Sequence, residues 1–407
     1  MPLLSPINNQ IRTNMKLYAE QYKNELFHNI LPFWQEHSLD KAQGGFLTCL
    51  ERDGKVFDTD KFIWLQGRQI WMFSMLYNEV SPKKEWLDVA LHGADFMEKF
   101  GRAEDGTWYF SLTKEGKPLT QPYNIFSDCF ATMAFGQLYK ATKVQRYADI
   151  ALNTFNSILE RIQNPKRKWS KAFEGTRPLK NFALPMILCN LSLEIEHLLD
   201  PAMVSSLIDN CIHEVMEVFY DQKSGLILEN VAPDGSFVDC FEGRHLNPGH
   251  AIEAMWFIMD LGERLGKPDL IERAKELTLK HLESGWDQEY GGIFYFLDVL
   301  GKPSQHLEWD QKLWWVHVET LVALAKGYHL TKDQRCLEWF EKVHQYTWEK
   351  FRDQEYGEWF GYLNRKGEVL LPLKGGKWKG CFHIPRALFQ CWKVMEKMAE
   401  TTFKEAV

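Results

Sequence analysis

DQEYGGIFYF (Asp287–Phe296) and DQEYGEWFGY (Asp353–Tyr362) lie 66 residues apart in one chain. Looser versions occur earlier: DKAQGGFLTC from Asp40, AEDGTWYFSL from Ala103 and DQKSGLILEN from Asp221. Aligned on glycine, the copies put Gly44, Gly106, Gly225, Gly291 and Gly357 in one column. Ten residues on, each has a second glycine: Gly54, Gly116, Gly235, Gly301 and Gly367. Aromatic and aliphatic residues fill the interval, and Asp, Glu or Lys usually precedes the second glycine. This reads as two short strands joined by a glycine-bearing turn. The spacings are 62, 119, 66 and 66 residues. The long one is about double the others, so a degenerate copy is expected near residue 166, within NPKRKWSKAFEGTRP (Asn164–Pro178). The chain therefore reads as six units.

Between the hairpins, apolar residues recur at three- and four-residue spacing. The pattern predicts helices over 13–36, 64–79, 84–100, 125–142, 145–162, 180–196, 202–220, 248–265, 268–283, 310–329, 333–350 and 385–402, two per unit. An open array of helix pairs needs polar capping repeats. The first and last helices here carry apolar faces instead (LFHNILPFW, ALFQCWKVM). The expected fold is all-α: one (α/α)6 barrel spanning residues 1–407, with short β-hairpins between helix pairs.

Composition narrows the partners. Net charge is −7, which argues against nucleic acid or an anionic membrane. No 18-residue apolar span and no signal-peptide pattern appear, and the eight cysteines form no CxxC pair. A cytoplasmic protein with free thiols is expected.

Chemistry collects at one station. Arg68 lies 24 residues after Gly44, His250 25 after Gly225, His317 26 after Gly291 and His383 26 after Gly357. Glu319 follows His317 by two. In a closed ring one station means one end, so these residues should converge on one mouth. In NPGHAIEAMW, Asn247 reads as N-cap and Pro248 as the first helical residue. That puts His250 in the first turn, where the helix dipole favours a neutral imidazole. Glu253 shares its face. Pro385 is expected to open the last helix, with His383 just before it. His317 and Glu319 diverge on their helix, and Glu319 is the one expected to face inward. Arg68 lies between Trp64 and Trp71, which suits a cradle for an oxyanion with aromatic walls for a sugar. HxxE alone is half a metal site, and no further ligands at metal spacing complete it, so no metal is expected. Two histidines, an arginine and a carboxylate without a nucleophile motif indicate proton transfer at a carbon beside a carbonyl, through an enediolate.

The stretches WLQGRQIWMF, LNPGHAIEAMWF, SGWDQEYGGIFYF, KLWWVHVE, FRDQEYGEWFGYL and KGGKWKGCFHIPR together resemble the N-acylglucosamine 2-epimerase family, whose mammalian members are also called renin-binding protein. The resemblance covers nearly the whole chain. It implies a homodimeric (α/α)6 barrel interconverting N-acetyl-D-glucosamine and N-acetyl-D-mannosamine, with ATP as an activator that is not consumed. Carried over by motif, Arg68, His250, Glu319 and His383 take the catalytic positions and Glu253 supports them. Trp64, Trp71, Asn247 and His317 are the candidate sugar contacts. For the nucleotide, the basic run Lys166, Arg167, Lys168 and Lys171 is a candidate phosphate loop, and otherwise a solvated loop. It lacks Walker spacing. KGGKWKG (Lys374–Gly380) is the rival, or a lid. Competing functions are another sugar 2-epimerase or an aldose–ketose isomerase of the same fold, an inverting glycoside hydrolase using Glu253 and Glu319, and a binding protein of the renin-binding kind.

Overall fold

The computed structural model describes residues 6–164, 166, 173 and 175–404. Its helices, in chain order, are α1 (Pro6–Glu25), α2 (Leu31–His37), α3 (Ile63–Glu79), α4 (Lys84–Phe100), α5 (Phe126–Thr142), α6 (Gln145–Glu160), α7 (Ala183–Glu194), α8 (Pro201–His213), α9 (Phe241–Arg244), α10 (Pro248–Leu265), α11 (Pro268–Gly285), α12 (Trp314–Thr331), α13 (Gln334–Lys350) and α14 (His383–Lys404). A π-turn, Leu26–Ile30, joins α1 to α2. It falls just before Pro32, whose missing N–H interrupts the α-helical ladder. The chain folds as an (α/α)6 barrel. Helices α3, α5, α7, α10, α12 and α14 form the inner ring, each packed on the next. The ring closes where Phe382 packs on Trp71 of α3 and Phe130 of α5, with ring centroids 5.3 Å apart in both cases.

The sequence explains which helices go inside. Every residue of α12 from Trp314 to Gly327 is buried, as a helix with neighbours on all sides requires. Its outer partner α13 buries a single stripe, Cys336, Leu337, Phe340, Val343, Tyr346 and Thr347, spaced by three and four. Several boundaries differ from expectation: α7 starts at Ala183 and not at 180, α8 ends at His213 and passes into a π-turn, Glu214–Val218, and α12 starts at Trp314 and not at 310. The first helix starts at Pro6 because PINNQIR is helical without an apolar period. The last helix starts at His383, two residues before Pro385. The Arg386 N–H bonds the Phe382 carbonyl, so Pro385 sits in a first turn where its missing N–H costs nothing.

The repeat glycines behave as a set. All ten have positive φ, from 68° at Gly301 to 91° at Gly116. Gly291 shows why: its Asp287-to-Gly292 turn folds back through an Asp287 carbonyl bond from the Gly291 N–H at 2.9 Å, in a conformation that L side chains rarely adopt. The hairpins are not isolated. The two residues before an inner helix pair with the next unit's hairpin: Lys61↔Leu112, Lys180↔Val231, His245↔Asp298 and Lys312↔Leu363. Buried ion pairs pin the turns. Lys61 Nζ meets Asp40 at 2.8 Å, Lys312 meets Asp287 at 3.1 Å and Lys374 meets Asp353 at 2.9 Å. These strands and pins stand at the end where the inner helices begin. Among the described residues, no helix is long and apolar enough to cross a membrane.

Candidate active site

Register builds the site. Arg68, Glu253 and Glu319 are each the sixth residue of an inner helix, so they share one level. One turn above, toward the hairpins, lie His250 (third in α10), Trp315 (second in α12) and His383 (first in α14). Both histidine rings lean on Trp315, with centroids at 5.3 Å for His250 and 5.9 Å for His383. The two histidines thus come from α10 and α14, the helices flanking α12 in the ring.

Each histidine gives its Nδ1 to a carboxylate, which leaves Nε2 for chemistry. For His383 the partner is Glu319, at 2.7 Å. For His250 it is Glu229, whose two oxygens both lie 3.1 Å away. The surroundings then separate the pair. Burial first, then Arg68 with Arg386 and His250, holds the His383 pKa well below the usual histidine range, against Glu253 and the contact with Glu319. Burial also opposes charge on His250, but Glu229 and Glu253 outweigh it and its pKa is raised. The helix dipole therefore does not decide His250, contrary to the sequence argument. A carboxylate in contact exceeds a dipole end of about half a charge.

Arg68 is buried between Trp64 (4.4 Å to the ring centroid), Phe130 (4.1 Å) and Phe382 (4.8 Å), and its Nε has no partner. Burial pulls its pKa down to about 9, with Glu253 opposing, so it remains a cation at neutral pH. Arg386 donates to both Glu253 and Glu319, the latter at 2.6 Å, and Trp256 Nε1 donates to the other Glu319 oxygen at 3.0 Å. Burial pushes the Glu319 pKa up against these donors. Ligand atoms of Glu253, Glu319 and His383 all lie within 4.8 Å of one another, the spacing of a metal site. Arg386 already supplies the cation shared by those two carboxylates.

The candidate sugar contacts divide. Trp64 stays at the mouth, half-buried, with its indole N–H on the Lys377 carbonyl at 3.2 Å. Trp71 points deeper, its N–H on Glu194 at 2.8 Å. Asn247 is the N-cap, its Oδ1 accepting the His250 N–H at 3.1 Å. His317 does not reach the site. Its Nδ1 bonds the Leu313 carbonyl at 2.7 Å, its Nε2 accepts the Ile293 N–H at 3.0 Å, and burial lowers its pKa to about 3. It ties the helix to the hairpin instead, because residues two apart on a helix cannot both face the axis. Of the basic run, Lys166 is exposed in a turn after α6, while Arg167, Lys168 and Lys171 lie outside the described residues. In the rival loop, Lys374 is bound to Asp353 and Lys379 to Glu358 at 2.8 Å, both fully buried.

Two residues escaped the sequence argument. Glu229 stands four residues after Gly225, and the same register in other units holds Thr48, Phe110, Tyr295 and Gly361. It is the one charged member of that column, which was the available signal. Arg386 follows His383 by three, a spacing that shares a helical face.

The match to known proteins is extensive. Residues 45–387 fit the model of the family described as N-acylglucosamine 2-epimerase (GlcNAc 2-epimerase). The chain is 40% identical over 395 residues to N-acylglucosamine 2-epimerase of Mus musculus, covering 94% of this chain and 93% of that one. It is 38% identical over 393 residues to the Homo sapiens protein of the same name, covering 94% and 91%. Among solved structures, cellobiose 2-epimerase from Bacillus thermoamylovorans B4167 superposes with a TM-score of 0.79 at 22% identity, over 94% of this chain and 100% of that one, a likeness of fold. The chain belongs to the N-acylglucosamine 2-epimerase family and is an epimerase.

Proposed function

We propose that this epimerase interconverts N-acetyl-D-glucosamine and N-acetyl-D-mannosamine by moving the proton at C2. The observation that carries the reading is the pair of histidines on one tryptophan, each with Nε2 free and with pKa values pushed in opposite directions. One neutral and one protonated imidazole is what a two-base inversion needs at neutral pH. In the open-chain sugar, neutral His383 takes the C2 proton. Charge passes onto the carbonyl oxygen, and the resulting enolate, with the acetamido group still on C2, is held by Arg68. Protonated His250 then returns a proton to C2 from its own side. The reverse reaction exchanges the roles. Glu319 and Glu229 keep the rings oriented, and Glu253 shares Arg386 with Glu319.

The choice of N-acyl sugar rests on the 38–40% identity to the mammalian relatives, far above the 22% shared with the cellobiose enzyme. A glycoside hydrolase reading asks Glu253 and Glu319 to work as separate acid and base, whereas here they share one guanidinium. We also assign ATP, as an unconsumed activator, to the basic run starting at Lys166. Support comes from the rival loop, whose Lys374 and Lys379 are already neutralised. A homodimer in the cytoplasm completes the proposal. The test is proton NMR of N-acetyl-D-mannosamine in D2O with the purified protein, with and without ATP. Appearance of N-acetyl-D-glucosamine carrying deuterium at C2 supports the scheme. Conversion without deuterium excludes it, and no conversion refutes the substrate.

A further inference from the structure

The two histidines hold their carboxylates alike, but what stands behind those carboxylates differs. Among the described ion pairs, Glu229 has His250 alone. Behind Glu319 stands Arg386, 1% exposed, with its Nη2 on both Glu319 and Glu253. Its guanidinium lies over Phe382 at 4.5 Å and Trp256 at 5.1 Å. Its Nε and Nη1 have no partner, so the two carboxylates are its whole polar commitment. Trp256 takes the remaining oxygen of Glu319.

We propose that Arg386 is a positioning residue that makes the two bases unequal. By clamping Glu319 and Glu253 it fixes His383 Nδ1 as a donor, and it keeps a permanent positive charge behind that histidine alone. The idea rests on the two-histidine reading above. The groups facing His383 are Glu319 from α12, Glu253 and His250 from α10, Arg68 from α3 and Arg386 from its own helix. Two of them are cations at neutral pH, and both oppose charge on His383. Arg68 stands among aromatic rings with no ion pair among the described residues, whereas Arg386 is fixed by two carboxylates.

The test uses full-length protein with 15N-labelled histidine, whose ring signals report protonation with or without turnover. In Arg386→Met, which keeps bulk and loses charge, His383 is expected to titrate about one pH unit or more higher. His250 stays in place, and the acid limb of kcat/KM moves with His383. In Arg386→Lys, charge remains but the donor that Nη2 places between the two carboxylates is displaced on a shorter stem. The titration then stays and kcat falls about tenfold or more, as expected when a positioning contact is lost. An unmoved His383 titration in Arg386→Met overturns the proposal. If that variant does not fold, Arg386→Lys decides, and unchanged kcat and KM there overturn it. Failure of the underlying two-histidine reading shows separately, as activity retained in both His250→Asn and His383→Asn.

Discussion

His250 and His383 are the same side chain in opposed settings, and their rates and pH limbs test that directly. Replacing either with Asn should cut epimerisation by about 10²–10⁴-fold, the usual worth of a general acid or base, with the thermal transition by circular dichroism unchanged. The pH profile follows from the two shifts. Under the proposed scheme activity needs one neutral and one protonated ring. It falls on the acid side as His383 protonates, below the ordinary histidine pKa, and on the alkaline side as His250 deprotonates, above it. The two singly protonated forms rise and fall together, so both substrates should show the same bell. In Glu229→Gln the larger of the two influences that raise His250 is gone, and Glu253 alone stands against its burial. The alkaline limb should then drop to the ordinary histidine value of about 6.5 or lower; a limb that stays in place would separate Glu229 from this role.

At the scale of elements, hairpin turns and helix starts hold these residues in register. Asp287 illustrates the pins. Burial resists its ionisation, but Arg365, the Glu289 N–H and Lys312 hold its pKa down at about 2. A depressed carboxylate stabilises the fold above its unfolded pKa, about 4, and that contribution disappears as pH falls toward 2. Melting temperatures of wild type and Asp287→Asn should therefore differ at pH 6 and converge between about pH 4 and 2; a gap independent of pH would rule the ion pair out as the cause. Asn247 tests the helix start. Asn247→Ala removes the cap of α10 and should cost about 1 kcal/mol in chemical unfolding. It should also lower kcat, because the N–H it caps belongs to His250.

The whole molecule depends on closure of the ring. On the outside, the seam is Glu25 of α1, 5% exposed, which receives Arg352 Nη2 at 2.8 Å and Trp359 Nε1 at 2.8 Å. Glu25→Ala removes the acceptor of both, and of Asn29 Nδ2, which also donates to Glu25. The expected loss is about 3 kcal/mol, at the low end for a buried pair because the Arg352 side chain is 33% exposed. A loss below about 1 kcal/mol would show that the seam is held by apolar packing of α1 on α14 alone.

How much of this was legible follows from what each signal is made of. Ten glycines, a period of 62 to 66 residues and three-to-four spacing are local and repeated. They determined the six units, the helix pairs, and the end of the barrel at which Arg68, His250, Glu319 and His383 stand. The matching register of Arg68, Glu253 and Glu319 follows from repetition alone. Direction and neighbourhood are not repeated. His317 shares the station of His250 and His383, yet it turns outward to bond a hairpin. Glu229 reaches His250 from 21 residues away, from a bend between two-residue strands, Leu226–Ile227 and Asn230–Val231, too short to carry a periodic signal. Arg386 is legible as a residue beside His383, but not as the cation between carboxylates of α10 and α12. The sequence by itself determined which residues share a level. The tertiary structure decided which face one another and with what charge, because electrostatic energy depends on distances across the ring that no spacing along the chain contains.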